Sequence, residues 1–225
     1  MMPQQLHTET VYKADCPQVL VVQISADHER SIIEPELKYL LSMTRVPFVL
    51  CRVEVNDWNA DLSPWRAPSV FGKTDFAGRA GETLLRIETD VLPSLRLQYG
   101  GLPVCLAGYS LAGLFALWAS MQTRLFGRVA AASPSVWYQD WITYAAGHPM
   151  QAQTVYLSLG DMEDRTRQPL LREVKKCISQ QDELLEKQGI KHILEWNQGT
   201  HFNNPDMRLA KAIAWCLDNA VISSK

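Results

Sequence analysis

One tight turn between two apolar runs restricts this chain more than anything else in it. Leu102-Pro103-Val104-Cys105-Leu106-Ala107 leads into Gly108-Tyr109-Ser110-Leu111-Ala112-Gly113, and Leu114-Phe115-Ala116-Leu117-Trp118-Ala119 follows. The first run suits a buried strand and the second a buried helix. Small residues two before and two after Ser110 let the strand and helix backbones pass closely. The serine then sits on a strained turn with its hydroxyl exposed. The pattern departs mildly from Gly-x-Ser-x-Gly, with Ala112 in the fifth place and Gly113 one later. Two readings fit this stretch: a nucleophile elbow, or an ordinary turn whose serine caps a helix.

Serine catalysis needs a base and usually a carboxylate to orient it. His201 lies in Asn197-Gln198-Gly199-Thr200-His201-Phe202, after the strand-like run Ile193-Leu194-Glu195-Trp196 and before a helical pattern over residues 207–217. Thr154-Val155-Tyr156-Leu157-Ser158-Leu159-Gly160 reads as a buried strand, and the cluster Asp161-Met162-Glu163-Asp164 comes straight after it. Serine, acid and histidine therefore fall in the chain order of α/β-hydrolases, each at the end of a strand. The other histidines have weaker claims. His7 lies in a polar N-terminal segment, and His192 sits inside the last strand. His28 and His148 precede the acid, which is the wrong order.

Repeated strand–helix alternation indicates a mostly parallel sheet with helices on both faces. Strands are expected over residues 19–24, 48–55, 104–107, 129–132, 155–159 and 193–196. Helices are expected over 34–43, 76–97 (broken near Pro93), 111–123, 137–146, 170–188 and 209–221. Gly189 suits a helix C-cap. Residues 56–75 break the alternation with Trp58, Trp65, Phe71, prolines and a glycine. They read as a long functional loop with its own packing.

The 225 residues are expected to form a single α/β domain, 1–225. A net charge of −2 gives no electrostatic grip on nucleic acid or an anionic membrane. Arg165-Thr166-Arg167 reads as solvated surface. No apolar run approaches a membrane span. The first residues lack the pattern of a signal peptide. The five cysteines are scattered without metal-site spacing. A cytoplasmic location, reduced thiols and no metal or organic cofactor are expected, with the oligomeric state open.

Four stretches together resemble the putative-esterase family of α/β-hydrolases. They are Gly108-Tyr109-Ser110-Leu111-Ala112-Gly113-Leu114, Ser133-Pro134-Ser135-Val136-Trp137-Tyr138, Gly160-Asp161-Met162-Glu163 and Gly199-Thr200-His201-Phe202. The Ser-Pro-Ser-Val-Trp run is similar to the siderophore (enterochelin) esterase branch. That resemblance implies an α/β-hydrolase fold with little or no lid, and a small-molecule ester substrate: short-acyl, aryl or siderophore-like. It implies an acyl-enzyme at Ser110, His201 as base and Glu163 as acid, with Asp161 and Asp164 close enough to substitute and a serine–histidine dyad conceivable. It implies an oxyanion hole at Leu111 and the Asp57–Trp58 region, and a substrate wall that includes Trp65 and Trp137. Acyl transfer by the same fold, or a silent fold used for binding, are the alternatives.

Overall fold

In the computed structural model, residues 6–70 and 72–219 are described; Phe71 and the end of the 209–221 helix lie outside them. The first strand is β1 (His7–Lys13), followed by β2 (Val19–Ser25), a 3-10 turn (Asp27–Ile32), α1 (Ile33–Met43) and β3 (Phe48–Glu54). The 56–75 region is more regular than a loop. It holds α2 (Trp58–Leu62) and β4 (Arg66–Ala67), which pairs with β5 (Phe76–Ala77). Next come α3 (Ala80–Arg86), a π-helical turn (Ile87–Val91) and α4 (Leu92–Tyr99), which run on without a break in helical backbone; Pro93, which has no N–H to donate, follows directly on the widened turn. Then β6 (Val104–Tyr109) leads into α5 (Ser110–Gln122), β7 (Phe126–Ala132), α6 (Trp141–Gly147) and β8 (Thr154–Gly160). The expected 170–188 helix divides at Glu173 into α7 (Pro169–Arg172) and α8 (Val174–Lys187); β9 (Lys191–Asn197) and α9 (Pro205–Asp218) complete the order.

The seven-stranded sheet runs β1-β3-β2-β6-β7-β8-β9. All pairings are parallel except β1 with β3. β2 and β6 are buried throughout and rich in aliphatic residues, as strands covered on both faces must be. Their alternate residues feed two cores. Val19 and Val21 belong to the core that includes Leu40 of α1 and Leu209 and Ile213 of α9, whereas Leu20, Val22 and Ile24 belong to the core that takes in residues of α3, α5 and α8. β1 was missed in the sequence because it is a largely exposed edge strand, with polar residues in HTETVYK and no apolar run to mark it.

From β2 the chain steps outward to β3, then returns to β6 on the other side of β2. The strand ends at this reversal leave a crevice, the usual ligand position in open α/β sheets. Ser110 lies there, at the junction of β6 and α5, with φ of +56°. Gly108 makes that turn possible: a Cβ on it would lie 2.4 Å from the Ala112 carbonyl carbon and 2.8 Å from the Ala112 methyl. Ala112 is tolerated because its methyl occupies the space that Gly108 leaves.

Under α1, Glu36 is fully buried, and one carboxyl oxygen accepts from Gln23 Nε2 at 2.9 Å. Burial pushes its carboxyl up to about 8; the Gln23 bond opposes this, and the negative charges of Glu29 and Asp206 add to it. Burial likewise pushes Glu29, on the preceding 3-10 turn, up to about 7, against the Ala26 N–H and Arg52.

Gly108→Ala is expected to destabilise the protein by at least ~2 kcal/mol, because backbone atoms must move to admit the methyl. Gly101→Ala, with open space around it, should stay within about 0.5 kcal/mol. Urea unfolding midpoints of the two variants check this. A second expectation concerns pH. A carboxyl raised in the folded state contributes stability that is complete below its unfolded value and is lost as pH rises through its folded value. Stability should therefore fall between pH 4.5 and about 8, and Glu36→Gln should flatten that decline in urea midpoints measured across the range.

Candidate active site

Three loops at the C-terminal ends of the strands bring Ser110, His201 and Glu163 together. Ser110 stands on the β6–α5 turn, Glu163 on the turn after β8, and His201 between β9 and α9. His201 Nε2 lies 3.0 Å from Ser110 Oγ, and His201 Nδ1 lies 2.8 Å from Glu163 Oε2. With Nδ1–H donating to the carboxylate, Nε2 is left to accept from the serine hydroxyl. The neighbouring acids are engaged elsewhere. Asp161 Oδ1 accepts the Gly199 N–H at 2.8 Å, and Asp164 pairs with Lys175 at 2.9 Å.

The second Glu163 oxygen, Oε1, accepts the Gly160 N–H at 2.7 Å, the Ser133 hydroxyl at 2.9 Å and Arg208 Nη1 at 3.0 Å. Burial pushes the Glu163 carboxyl up, but the bond to His201, its charge, the Gly160 N–H and Ser133 outweigh this and hold it below the usual range. The Tyr109 hydroxyl donates to the His201 carbonyl at 2.6 Å and fixes the backbone that carries the imidazole. Ser133 and Ser135 belong to the same frame. Ser133 has φ of +41°, and the Ser135 N–H donates to the Ser110 carbonyl at 3.0 Å.

A cleft of about 630 Å³ opens over Ser110 and His201, with His28, Glu29, Trp58, Trp137, Arg165 and Phe202 among its lining residues. Leu111 follows Ser110 in the first turn of α5, so its amide is one of the first-turn N–H groups without an intrahelical partner. Trp137, expected as substrate wall, and Trp58, expected near the oxyanion hole, both line the cleft. Two other expected site residues do not. The Asp57 N–H donates to Asp61 Oδ2 at 2.9 Å and its Oδ1 caps the Ala60 N–H at 3.0 Å, which removes that amide as an oxyanion donor. Trp65 lies off the cleft wall; it packs among Tyr138, Trp141 and Tyr144 and donates from Nε1 to the Gln139 carbonyl.

The sheet order brings another loop to the serine. β2, rather than β3, is the neighbour of β6, so the loop leaving β2 runs beside Ser110. His28 on that loop reaches the cleft and meets the Trp58 ring edge-on at 4.9 Å, despite preceding the acid in sequence. Arg165, which is exposed as expected, and Thr166 also line the cleft. His148 stacks on Tyr144, and His192 lies 3.3 Å from Asp182. Arg208 was missed altogether. Its one signal is position: it lies four and eight residues before Ala212 and Cys216, on the inward stripe of α9.

Among the described residues, no cluster of three or more His, Cys, Asp and Glu side chains is arranged to hold a metal ion, and no helix is long and apolar enough to cross a membrane.

The uncharacterized protein YbbA of Bacillus subtilis (strain 168) is 27% identical over 163 residues, covering 68% of this chain and 65% of that one. An IroE-like serine hydrolase from Shewanella oneidensis superposes with a TM-score of 0.76 at 14% identity, over 96% of this chain and 82% of the other. The siderophore hydrolase EstA from Aspergillus nidulans gives 0.74 at 19% identity, over 98% of each chain. The enterobactin esterase FES from Shigella flexneri gives 0.63 at 14% identity, over 94% of this chain and 59% of that one. At these identities the likeness establishes the fold, an α/β-hydrolase with a mostly parallel sheet. Residues 53–204 match the family described as Putative esterase, and since they make up more than half of the sequence, the chain belongs to that family.

Proposed function

We propose that this chain is a serine esterase that cleaves small carboxylic esters through an acyl-enzyme on Ser110. The observation that carries this reading is the continuous relay from Ser110 Oγ to His201 Nε2, and from Nδ1 to Glu163. His201 takes the hydroxyl proton as Oγ attacks the ester carbonyl, and the C–O bond to the leaving alcohol breaks as His201 returns that proton. Water then adds to the acyl-enzyme, with His201 again the base, and releases the acid and free Ser110. Glu163 selects the Nδ1–H tautomer and stabilises the imidazolium formed in both steps.

The Leu111 N–H, at the start of α5, is the first oxyanion donor. The second is drawn from a first-turn amide on the cleft wall, at Trp58 of α2 or His28 of the 3-10 turn. A cleft of about 630 Å³ with aromatic walls suits a small molecule. Likeness to siderophore hydrolases and an enterobactin esterase favours an aryl or siderophore-like ester over a lipid. Cys16, Cys51, Cys105, Cys177 and Cys216 are all free thiols, which suits a reducing, cytoplasmic setting.

Ser110→Ala is expected to fold and to lose at least ~10³-fold in kcat/KM, with His201→Ala comparable. Glu163→Gln should lower kcat by at least ~10-fold, more than Asp161→Asn or Asp164→Asn. Steady-state rates on p-nitrophenyl acetate check all five variants, and near-wild-type turnover by Ser110→Ala would sink the reading. Labelling of Ser110 by a fluorophosphonate separates an enzyme from a silent binding fold. Across p-nitrophenyl esters of graded length, with aryl and catecholate esters beside them, kcat/KM should be higher for short and aryl acyl groups than for long chains. A rate that climbs steadily into long-chain esters would contradict this.

A further inference from the structure

Arg208 is a charged side chain only 1% exposed, and nothing in the serine, histidine and acid chemistry so far requires it. It enters from the first turns of α9, a helix whose other inward residues include Leu209, Ala212 and Ile213. Those residues join α9 to the sheet by apolar packing, so a guanidinium is not needed for that purpose. Its polar contacts all fall on segments that carry the site. Nη1 donates to Glu163 Oε1 at 3.0 Å, to Ser133 Oγ at 3.3 Å and to the Tyr109 hydroxyl at 3.3 Å; Nη2 donates to the Gln198 carbonyl at 3.2 Å. Tyr109 precedes the nucleophile, and Gln198 lies on the loop that ends in His201. The backbone leaves room for the guanidinium: a Cβ on Gly160 would lie 2.9 Å from Arg208 Nη2 and 2.4 Å from the Gly199 carbonyl oxygen.

Resting on the serine-esterase reading above, we propose that Arg208 is a positioning residue that clamps Oε1 of Glu163, keeps that carboxyl ionised and aims its Oε2 at His201. The two oxygens then divide the work. Oε2 faces the imidazole, whereas Oε1 is held by Arg208, Gly160 and Ser133. Holding one oxygen fixes the plane of the carboxylate and so the direction of the lone pair offered to Nδ1–H. The titratable and charged groups that face Glu163 are His201 from the β9–α9 loop, Tyr109 at the end of β6 and Arg208 from α9. In the resting site His201 offers a hydrogen bond, and Arg208 supplies the permanent positive charge. Its presence makes Glu163 a weaker base. When His201 takes the serine proton, the proton stays on the imidazolium and returns to the leaving alcohol. Without the guanidinium, a carboxyl in so buried a place binds a proton more readily and can no longer stabilise the imidazolium as an anion.

A double-mutant cycle tests this on the full chain with p-nitrophenyl acetate. Wild type, Arg208→Lys and Arg208→Met are measured alone and in a Glu163→Gln background, with kcat and KM followed across pH and folding followed by thermal melting. Arg208→Met should lower kcat by ~10-fold or more, leave KM within about 3-fold and move the acid limb of the kcat profile to higher pH, with Arg208→Lys recovering part of the loss. In the Glu163→Gln background the same changes should cost less than about 3-fold further, because Arg208 acts through that carboxylate. The double variant removes both charges together and so leaves no buried carboxylate unpaired. If Arg208→Met alone fails to fold, the cycle is read with Arg208→Lys, which should itself lose kcat in the wild-type background and not in Glu163→Gln. Equal losses of kcat in both backgrounds overturn the proposal. A change confined to KM overturns it too, as does a wild-type pH profile in the folded Arg208 variants. Loss of activity in Ser110→Ala and His201→Ala with no effect at Arg208 refutes the positioning role alone; full activity in Ser110→Ala refutes the esterase reading itself.

Discussion

A serine held at φ of +56° between a fully buried strand and a helix buried from Leu111 to Met121 is the constraint on which the cleft depends. An L-residue rarely adopts this conformation without support from its surroundings. Here the support is packing: α5 is buried from Leu111 through Met121, and the backbone at Gly108 lies against Ala112 too closely to admit a side chain. The turn places Ser110 on the cleft lining, beside the first α5 amides, which have no intrahelical partner. Ser135 N–H then ties the Ser110 carbonyl to the loop after β7, so two loops share one anchor point.

Around that anchor is a polar network of a kind that a hydrophobic core rarely tolerates. Glu163, Ser133, Tyr109 and Arg208 are joined by hydrogen bonds of 2.9 to 3.3 Å beneath His201. Such a network is stabilising only when its members are satisfied, because each unpaired group in a low-dielectric site is costly. The apolar residues of α9 bury the helix, and Arg208 links it to the turn that carries Glu163 and the loop that leads to His201.

A second polar layer lies beneath the other wall of the cleft, and its balance is different. Glu29, Glu36 and Asp206 place three carboxyls close enough to raise the proton affinity of Glu36, and Arg52 is the cation that partly offsets Glu29. Arg52 also holds the Ser25 hydroxyl at 2.7 Å and the Ala26 carbonyl at 3.3 Å, where β2 turns toward His28. Two acids near the cleft are therefore oppositely tuned: Glu163 is held below the usual carboxylate range by its partners, and Glu36 is raised by burial.

Local order was legible in the sequence because it depends on neighbours in the chain. The apolar runs either side of Ser110, the small residues that let them cross, and the sequence of strand, acid and histidine all follow from residue type and spacing. β1 was not legible, because an exposed edge strand carries little apolar pattern. The choice among Asp161, Glu163 and Asp164 rested on resemblance alone, since three acids on one turn differ only in where their side chains point. Tertiary structure separated them by giving Asp161 the Gly199 amide and Asp164 a lysine, and by leaving Glu163 against His201. It also decided that Trp65 lies off the cleft wall, that the Asp57 amide is committed, and that His28 and Arg208 approach the site from 82 and 98 residues away from Ser110 in the chain. The approach of His28 depends on strand order, and strand order is a property of the assembled sheet: β2 lies beside β6 only once both cores have closed around them.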